Sequence, residues 1–452
     1  MTTTSSMRFH GHVVTAGLRR KFNTTSVTRF IRSPVTRFIP QANRSPASPM
    51  RLQVTWLEAL KAQQEGRPGS ITSFSKTSSD VPPVIEDRTM SDSFTAISLP
   101  FKQDQWLLDT YVNSTGRLRI GQIFQDLDAL AGVIAYKHCA PYDPTIVTAS
   151  VDRISLLKRL TALSDIELFG NVTWTGKSSM EITIKARTVQ DNSVFLTANF
   201  TFVARHPITQ RSFPINRLVP QNETETQIFD RAESYNAAKK RAAKSGGLHA
   251  SPPTADEASI IHSMWLRQKA YEDPNSGLDL PSDVVLMRDS QVHSTMLMQP
   301  QYRNRHSYMI FGGYLLRQTF ELAYCCAAAF THGNPHFISL DQTTFKSPVP
   351  VGSVLYLTAV VAYTQHQAQA PQGTFVQVRV DTSVSDIQHG NRVDSGSFTY
   401  TYFVENKCVS VLPVSYDEGI TYLEGRRNAI ESKNFFNELA DLNSQELEKT
   451  VT

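Results

Sequence analysis

Two series of apolar positions in this chain repeat one another. From Tyr314 to Phe330, Leu315, Leu316, Thr319, Phe320, Leu322, Ala323, Cys326 and Ala327 leave almost no polar side. That pattern predicts a helix wrapped by other structure. The run is entered through Ile310-Phe311-Gly312-Gly313 and is followed by Phe337-Ile338-Ser339-Leu340-Asp341-Gln342-Thr343. An earlier stretch has the same form. Ile120-Gly121 opens an apolar run through Phe124, Leu127, Leu130 and Ala131, and Thr148-Ala149-Ser150-Val151-Asp152-Arg153-Ile154 comes after it. Gly121 to Gly313 is 192 positions and Asp152 to Asp341 is 189. An offset kept this closely predicts a duplicated unit.

Alternation and β-branched content predict strands around each helix. In the first half these are Phe94–Leu99, Thr148–Leu157, Ile166–Thr175, Ser179–Val189 and Val194–Ala204, with the helix at Arg119–His138. In the second half they are Val284–Met287, Val292–Met298, Phe337–Thr344, Ser353–Tyr363, Thr374–Ser385 and Gly396–Val404, with a long hairpin tip at His366–Gly373. Two helices, Thr224–Lys244 and Ala255–Tyr271, fill the connection, and Phe435–Glu448 reads as a terminal helix or polar tail. Pattern alone therefore predicts an α+β chain of two units, each a central helix wrapped by an antiparallel sheet.

Charge is unevenly placed. The first acidic residue is Glu58, and nine Arg and Lys residues precede it. Without them the net charge of +4 becomes −5, so the basic balance belongs to the leader and argues against a nucleic-acid partner for the body. An acid-free, Arg- and Ser-rich stretch over residues 1–50 has the composition of a mitochondrial transit peptide. Leu52–Gln64 reads as a short helix and Ser70–Pro83 as a linker. No apolar run reaches the roughly 18–20 residues that span a bilayer. Cys139, Cys325, Cys326 and Cys408 give neither a disulfide framework nor a metal spacing, and Cys325 and Cys326 are expected as buried thiols. No histidine spacing suggests a metal site, and nucleotide loops and the Gly-x-Ser-x-Gly elbow are missing.

Paired Gly–helix–Ser-x-Asp units, Phe169-Gly170-Asn171-Val172-Thr173-Trp174-Thr175-Gly176-Lys177-Ser178-Ser179-Met180-Glu181 and Phe345-Lys346-Ser347-Pro348-Val349-Pro350-Val351-Gly352-Ser353 together resemble the mitochondrial tandem hotdog-fold acyl-CoA thioesterases. The resemblance spans roughly residues 85–425. It implies a double hotdog, with a first domain over 85–206, a helical connection over 207–282 and a second domain over 283–425. These follow a transit peptide (1–50) and a helix and linker (51–84) and precede a C-terminal tail (426–452). It also implies acyl-CoA as substrate, coenzyme A only as part of that substrate, no cofactor, a homo-oligomer and a place in the mitochondrial matrix.

Thioester hydrolysis needs a donor where negative charge develops on the carbonyl oxygen, and a base to take a proton from water. Asp128 is the expected base. It stands among Leu127, Ala129, Leu130 and Ala131, where desolvation pushes a carboxyl upward. Asp126, two residues earlier, should face solvent. The Gly312 and Gly313 N–H groups at the helix mouth are the expected oxyanion donors. By the resemblance, Asn304 orients water or carbonyl, although its seven-residue spacing to Phe311 leaves Arg305 and His306 as rivals for that place. Phe320 occupies the second half's equivalent of Asp128, and Glu321 beside it is a candidate acid for a second site. Arg303, Arg305, Arg317 and Lys346 are candidate coenzyme A contacts, as are Lys239-Lys240-Arg241, which otherwise read as a solvated helix end. Asp152 and Asp341 read as structural, pairing with Arg153 or Lys346. Two alternatives remain: a hotdog hydratase-dehydratase using His306, and a non-catalytic acyl-CoA sensor. Chain-length preference and nucleotide or NADH regulation are not legible.

Overall fold

The computed structural model describes residues 84–451, apart from 161–162, 246, 305–308 and 342. The expected transit peptide, short helix and linker lie outside the described residues. The first half holds β1 (Thr95–Leu99), the central helix α1 (Ile120–Cys139), β2 (Thr145–Leu156), β3 (Ile166–Thr175), β4 (Ser179–Thr188) and β5 (Val194–Arg205). The connection holds α2 (Glu223–Ser245) and α3 (Ala255–Glu272). In the second half come β6 (Val292–Leu297), the central helix α4 (Gly312–Thr331), β7 (His336–Leu340), β8 (Thr343–Phe345), β9 (Val354–Gln367), β10 (Gly373–Ser385), β11 (Arg392–Glu405) and α5 (Tyr416–Val451).

These strands join in one sheet with the order β1-β3-β4-β5-β2-β7-β11-β10-β9-β6, and β8 pairs with both β11 and β2. The halves meet where β2 pairs antiparallel with β7 (Leu340 opposite Ile154) and with β8 (Thr343 opposite Val151). The single expected strand Phe337–Thr344 is thus two strands, His336–Leu340 and Thr343–Phe345. Each half is an antiparallel sheet around one apolar helix, so the chain is α+β with two tandem hotdog domains.

Central helices α1 and α4 pack on each other and share one core. Phe124, fully buried, packs edge-on against Phe320 and Phe337 with ring centroids 5.2 and 5.3 Å apart. Tyr400 and Tyr402 close this cluster, and their hydroxyls donate to the Leu316 and Phe320 carbonyl oxygens of α4. Aromatic burial of this kind dominates core energetics.

Four expectations are corrected. Cys325 is exposed while Cys326 is buried, because the helix presents successive residues 100° apart and only one of an adjacent pair can face the core. The last helix begins at Tyr416, not Phe435. Ser415 caps it, its hydroxyl accepting from the Glu418 N–H while Glu418 takes the Val414 N–H. Lys239 is not a solvated end: it turns onto Asp152 and Ser150 of β2. Asp152 therefore pairs with Lys239, and it is Asp341 that lies beside Arg153, at 3.7 Å. Asn113 makes a tight turn before α1, its side-chain oxygen accepting from the Thr115 and Arg117 N–H groups.

Replacing Phe124 by alanine empties the seam between the central helices and is expected to cost about 3–5 kcal/mol. Trp106→Ala, at a side chain 85% exposed, should change stability by less than about 0.5 kcal/mol. Urea melts of the two variants check this, and equal midpoints would show that the seam is not the shared core.

Candidate functional site

The N-terminus of α4 abuts the side of α1. A Cβ built on Gly313 would lie 2.9 Å from the Gln125 carbonyl oxygen and 3.0 Å from the Asp128 Cβ, so the approach requires glycine there. One built on Gly312 would meet the Asp128 carboxylate and the Thr148 hydroxyl at 3.1 Å each. Asp128 is wholly buried. Its Oδ2 accepts from the Gly313 N–H at 2.6 Å, and its Oδ1 accepts from the Thr148 hydroxyl of β2 at 2.9 Å. Burial pushes the carboxyl up to about 7, against the two hydrogen bonds that favour the charged form. The Gly312 N–H opens the helix and by position has no intrahelical acceptor. A desolvated carboxyl and a helix mouth thus meet at one point, each contributed by a different half.

Thr148 is absent from the expected residues, yet a signal for it exists. At the offset of 189 that relates Asp152 to Asp341, Thr148 corresponds to Phe337. At 192, Asp128 corresponds to Phe320. Phe320 and Phe337 pack edge-on at 5.5 Å, so both polar partners of the first constellation are apolar in its duplicate. The contact itself is preserved: a Cβ on Gly121 would lie 3.0 Å from the Phe320 ring.

Glu321 does not belong to the Asp128 constellation. It is bound by Arg119 at 2.6 Å and Arg317 at 3.4 Å, at the mouth of α1, with its side chain about one-third exposed. Two guanidiniums hold its carboxylate oxygens there. Arg317 also donates to the Gln125 side chain of α1 at 3.3 Å, so it bridges the helices. Asp126 does not face solvent: Tyr111 donates to it at 2.6 Å, and burial pushes it up to about 6. Asn304 is half-buried, and its N–H donates to the Met309 carbonyl at 2.7 Å. That bond, with the Phe311 N–H on the Tyr302 carbonyl at 2.8 Å, folds the loop back to the α4 mouth. Among the described residues the Asn304 amide makes no hydrogen bond to Asp128 or Thr148. Arg305 and His306 lie outside the described residues. Lys346 is exposed, and its N–H donates to the Ser395 carbonyl oxygen. Among the described residues no group of His, Cys, Asp and Glu is arranged to hold a metal ion. No described helix is long and apolar enough to cross a membrane.

Residues 118–195, which include α1 and the strands β2 to β4, match the family model described as thioesterase superfamily. Three curated proteins are similar over most of their length. The mitochondrial acyl-coenzyme A thioesterase 9 of Bos taurus is 33% identical over 386 residues, covering 82% of this chain and 84% of that protein. Its Homo sapiens counterpart gives the same 33%, 82% and 84%. A chloroplastic acyl-coenzyme A thioesterase 2 of Humulus lupulus is 36% identical over 338 residues, covering 72% of this chain and 76% of that protein.

Asp128 is a buried acid that folding holds partly protonated. With a folded value near 7 against 3.8 unfolded, the folded state binds more protons between those limits. Stability from this group is therefore present at low pH and lost as pH rises through about 7. Asp128→Asn, a neutral isostere, is expected to raise the melting temperature more at pH 8 than at pH 5. Melting curves at the two pH values read the difference, and a constant or reversed gap would show that the carboxyl is not desolvated.

Proposed function

The chain belongs to the acyl-coenzyme A thioesterase family and hydrolyses acyl-CoA to a free acid and coenzyme A, and from that premise we propose that Asp128 is its base and the α4 N-terminus its oxyanion site. The observation that supports this reading is the Asp128–Gly313 contact, which holds a buried carboxylate at the mouth of a helix. The thioester carbonyl oxygen takes the Gly312 N–H and the positive end of the helix dipole. Asp128 accepts a proton from a water, whose oxygen bonds to the carbonyl carbon. The tetrahedral oxyanion collapses, the C–S bond breaks, and the coenzyme A sulfur receives the proton back from Asp128. Thr148 acts through Asp128: its hydroxyl keeps one carboxylate oxygen charged and fixes the direction of the other.

Other parts of the proposal rest on sequence. Asn304 orients water or carbonyl from the loop before α4, and Arg305, His306, Arg317 and Lys346 contact the coenzyme A moiety. Hydrolysis by Asp128 and a helix mouth calls for no metal or organic cofactor. One competent site per chain is supported by the aromatic pair Phe320 and Phe337 in the duplicate. The acid-free leader, together with relatives that are mitochondrial thioesterases, supports a mitochondrial matrix protein. Assembly into a homo-oligomer follows from the family resemblance.

Asp128→Asn is expected to lower kcat by about 10²–10⁴-fold, the range removed with a general base. In the wild type kcat/KM should rise with pH and level off above about 7, as the carboxyl ionises. Thr148→Val removes a bond that favours the charged form, so it should move that rise to higher pH. Thiol release from acetyl-, octanoyl- and palmitoyl-CoA measures all three. Full turnover in the folded Asp128→Asn protein would transfer the role to another acid.

A further inference from the structure

A second group of buried charges takes no part in this chemistry. It lies beneath α2, on the face of β2 to β5 that points away from Asp128, around a cavity of about 1280 Å³. Side chains alternate across a sheet, and a face covered by a helix is ordinarily apolar. This one carries a polar row across four strands. Asn171 stands opposite Thr183, Thr183 opposite Asn199, and Asn199 opposite Arg153.

The duplicate half shows what the space looks like when it is closed. Gly425 of α5 approaches β9 so closely that a Cβ there would lie 2.7 Å from the Tyr363 Cβ. Tyr422 packs edge-on against Tyr363 at 5.1 Å. Ala232 of α2 precedes Gly425 by 193 positions, and Lys239 precedes Ser432 by the same 193. Ser432 donates to Asp341 as Lys239 does to Asp152. The two helices are therefore anchored alike, but between α2 and its sheet a cavity remains, with Asn428 and Glu431 of α5 also at its wall.

The exposed valences of the cavity define what would fill it. Among the described residues Glu181, 5% exposed, takes only long bonds of 3.3 Å from Thr173 and Asn236. Asp341, 4% exposed, borders the cavity from the second half. Among the described residues the Asn199 amide makes no side-chain hydrogen bond. These groups ask for hydroxyl donors. The Phe169 ring is among the walls, and the exposed cations Lys185 and Arg231 also line the cavity. Lysine and arginine side chains are the usual partners of a phosphate. We propose that this cavity is a second ligand site, which takes a phosphorylated sugar or polyol with its hydroxyls on the Asn171–Asn199 row and its phosphate at Lys185 and Arg231.

Calorimetric titration of the whole protein with glucose 6-phosphate, ribose 5-phosphate, glucose and inorganic phosphate tests this. A sugar phosphate is expected to bind at least about tenfold more tightly than glucose or phosphate alone, since each supplies only part of the contacts. Arg231→Ala, on the exposed face of α2, and Asn199→Ala, on the floor, should each weaken it about tenfold while acyl-CoA turnover is unchanged. Asp128→Asn should leave it as in the wild type. No binding of either sugar phosphate at millimolar concentration would overturn the proposal. So would phosphate binding as tightly as the sugar phosphates, or affinity lost in Asp128→Asn but kept in Arg231→Ala.

Discussion

One contact, between the mouth of a helix and the flank of its twin, governs this molecule. Gly313 meets Asp128, and Gly121 meets Phe320, at the same 3.0 Å from where a Cβ would stand. Two central helices can share a core only if they approach this closely, and the aromatic cluster of Phe124, Phe320, Phe337 and Tyr400 fills what remains. The strands follow from the helices, since each sheet must cover the apolar sides left over. β2 then serves both halves, pairing with β5 on one side and with β7 and β8 on the other. From the same strand Thr148 reaches the carboxyl at the helix contact.

Duplication explains why this contact can hold a group that destabilises it. A wholly buried carboxyl is costly unless its charge is met by hydrogen bonds. In the first constellation a backbone N–H and a hydroxyl meet it, in part. In the other, phenylalanine replaces both acid and hydroxyl, and the cost disappears. One copy is built for packing, and the other is the one proposed for chemistry. The charged pairs at the second mouth, Glu321 with Arg119 and Arg317, sit at the rim, where ions remain hydrated.

Much of this was legible in the sequence because it depends on periodicity. The repeat, the two central helices and the main strands come from spacing alone, and Ile166–Thr175 has the same limits in both readings. Asp128 was legible because an acid within an apolar helix is conspicuous. What escaped depends on partners distant in the chain. Asp126 seemed solvated from its helical angle, but Tyr111, fifteen positions earlier, folds over it. Thr148 gave no sign as a strand threonine, and only the joint exchange of Thr148 with Phe337 and Asp128 with Phe320 exposes it. Lys239 read as a helix-end cation because nothing local shows that α2 lies on β2. Spacing likewise left Asn304, Arg305 and His306 undivided, since a loop has no period to fix which residue points inward.

Burial and hydrogen bonding pull Asp128 in opposite directions and leave it near 7, which suits the base proposed for it. Burial alone would lift the carboxyl further and leave it protonated at neutral pH. More hydrogen bonds would return it toward 3.8, where it is ionised but too weak to take a proton from water. Gly313 and Thr148 hold it between these limits. The same N–H that tempers the base also stands next to the Gly312 N–H proposed for the carbonyl oxygen, so both draw on one helix terminus. In the proposed reaction the carboxylate's demand on that terminus falls as it takes its proton, while the oxyanion's demand rises. In that scheme negative charge moves over a short distance between two neighbours of the same dipole. A carboxyl placed elsewhere on α1, with the same value but away from the α4 mouth, would lack that exchange. Position at the helix contact, rather than acidity alone, therefore distinguishes Asp128 from Asp126, which burial also raises but which Tyr111 holds instead.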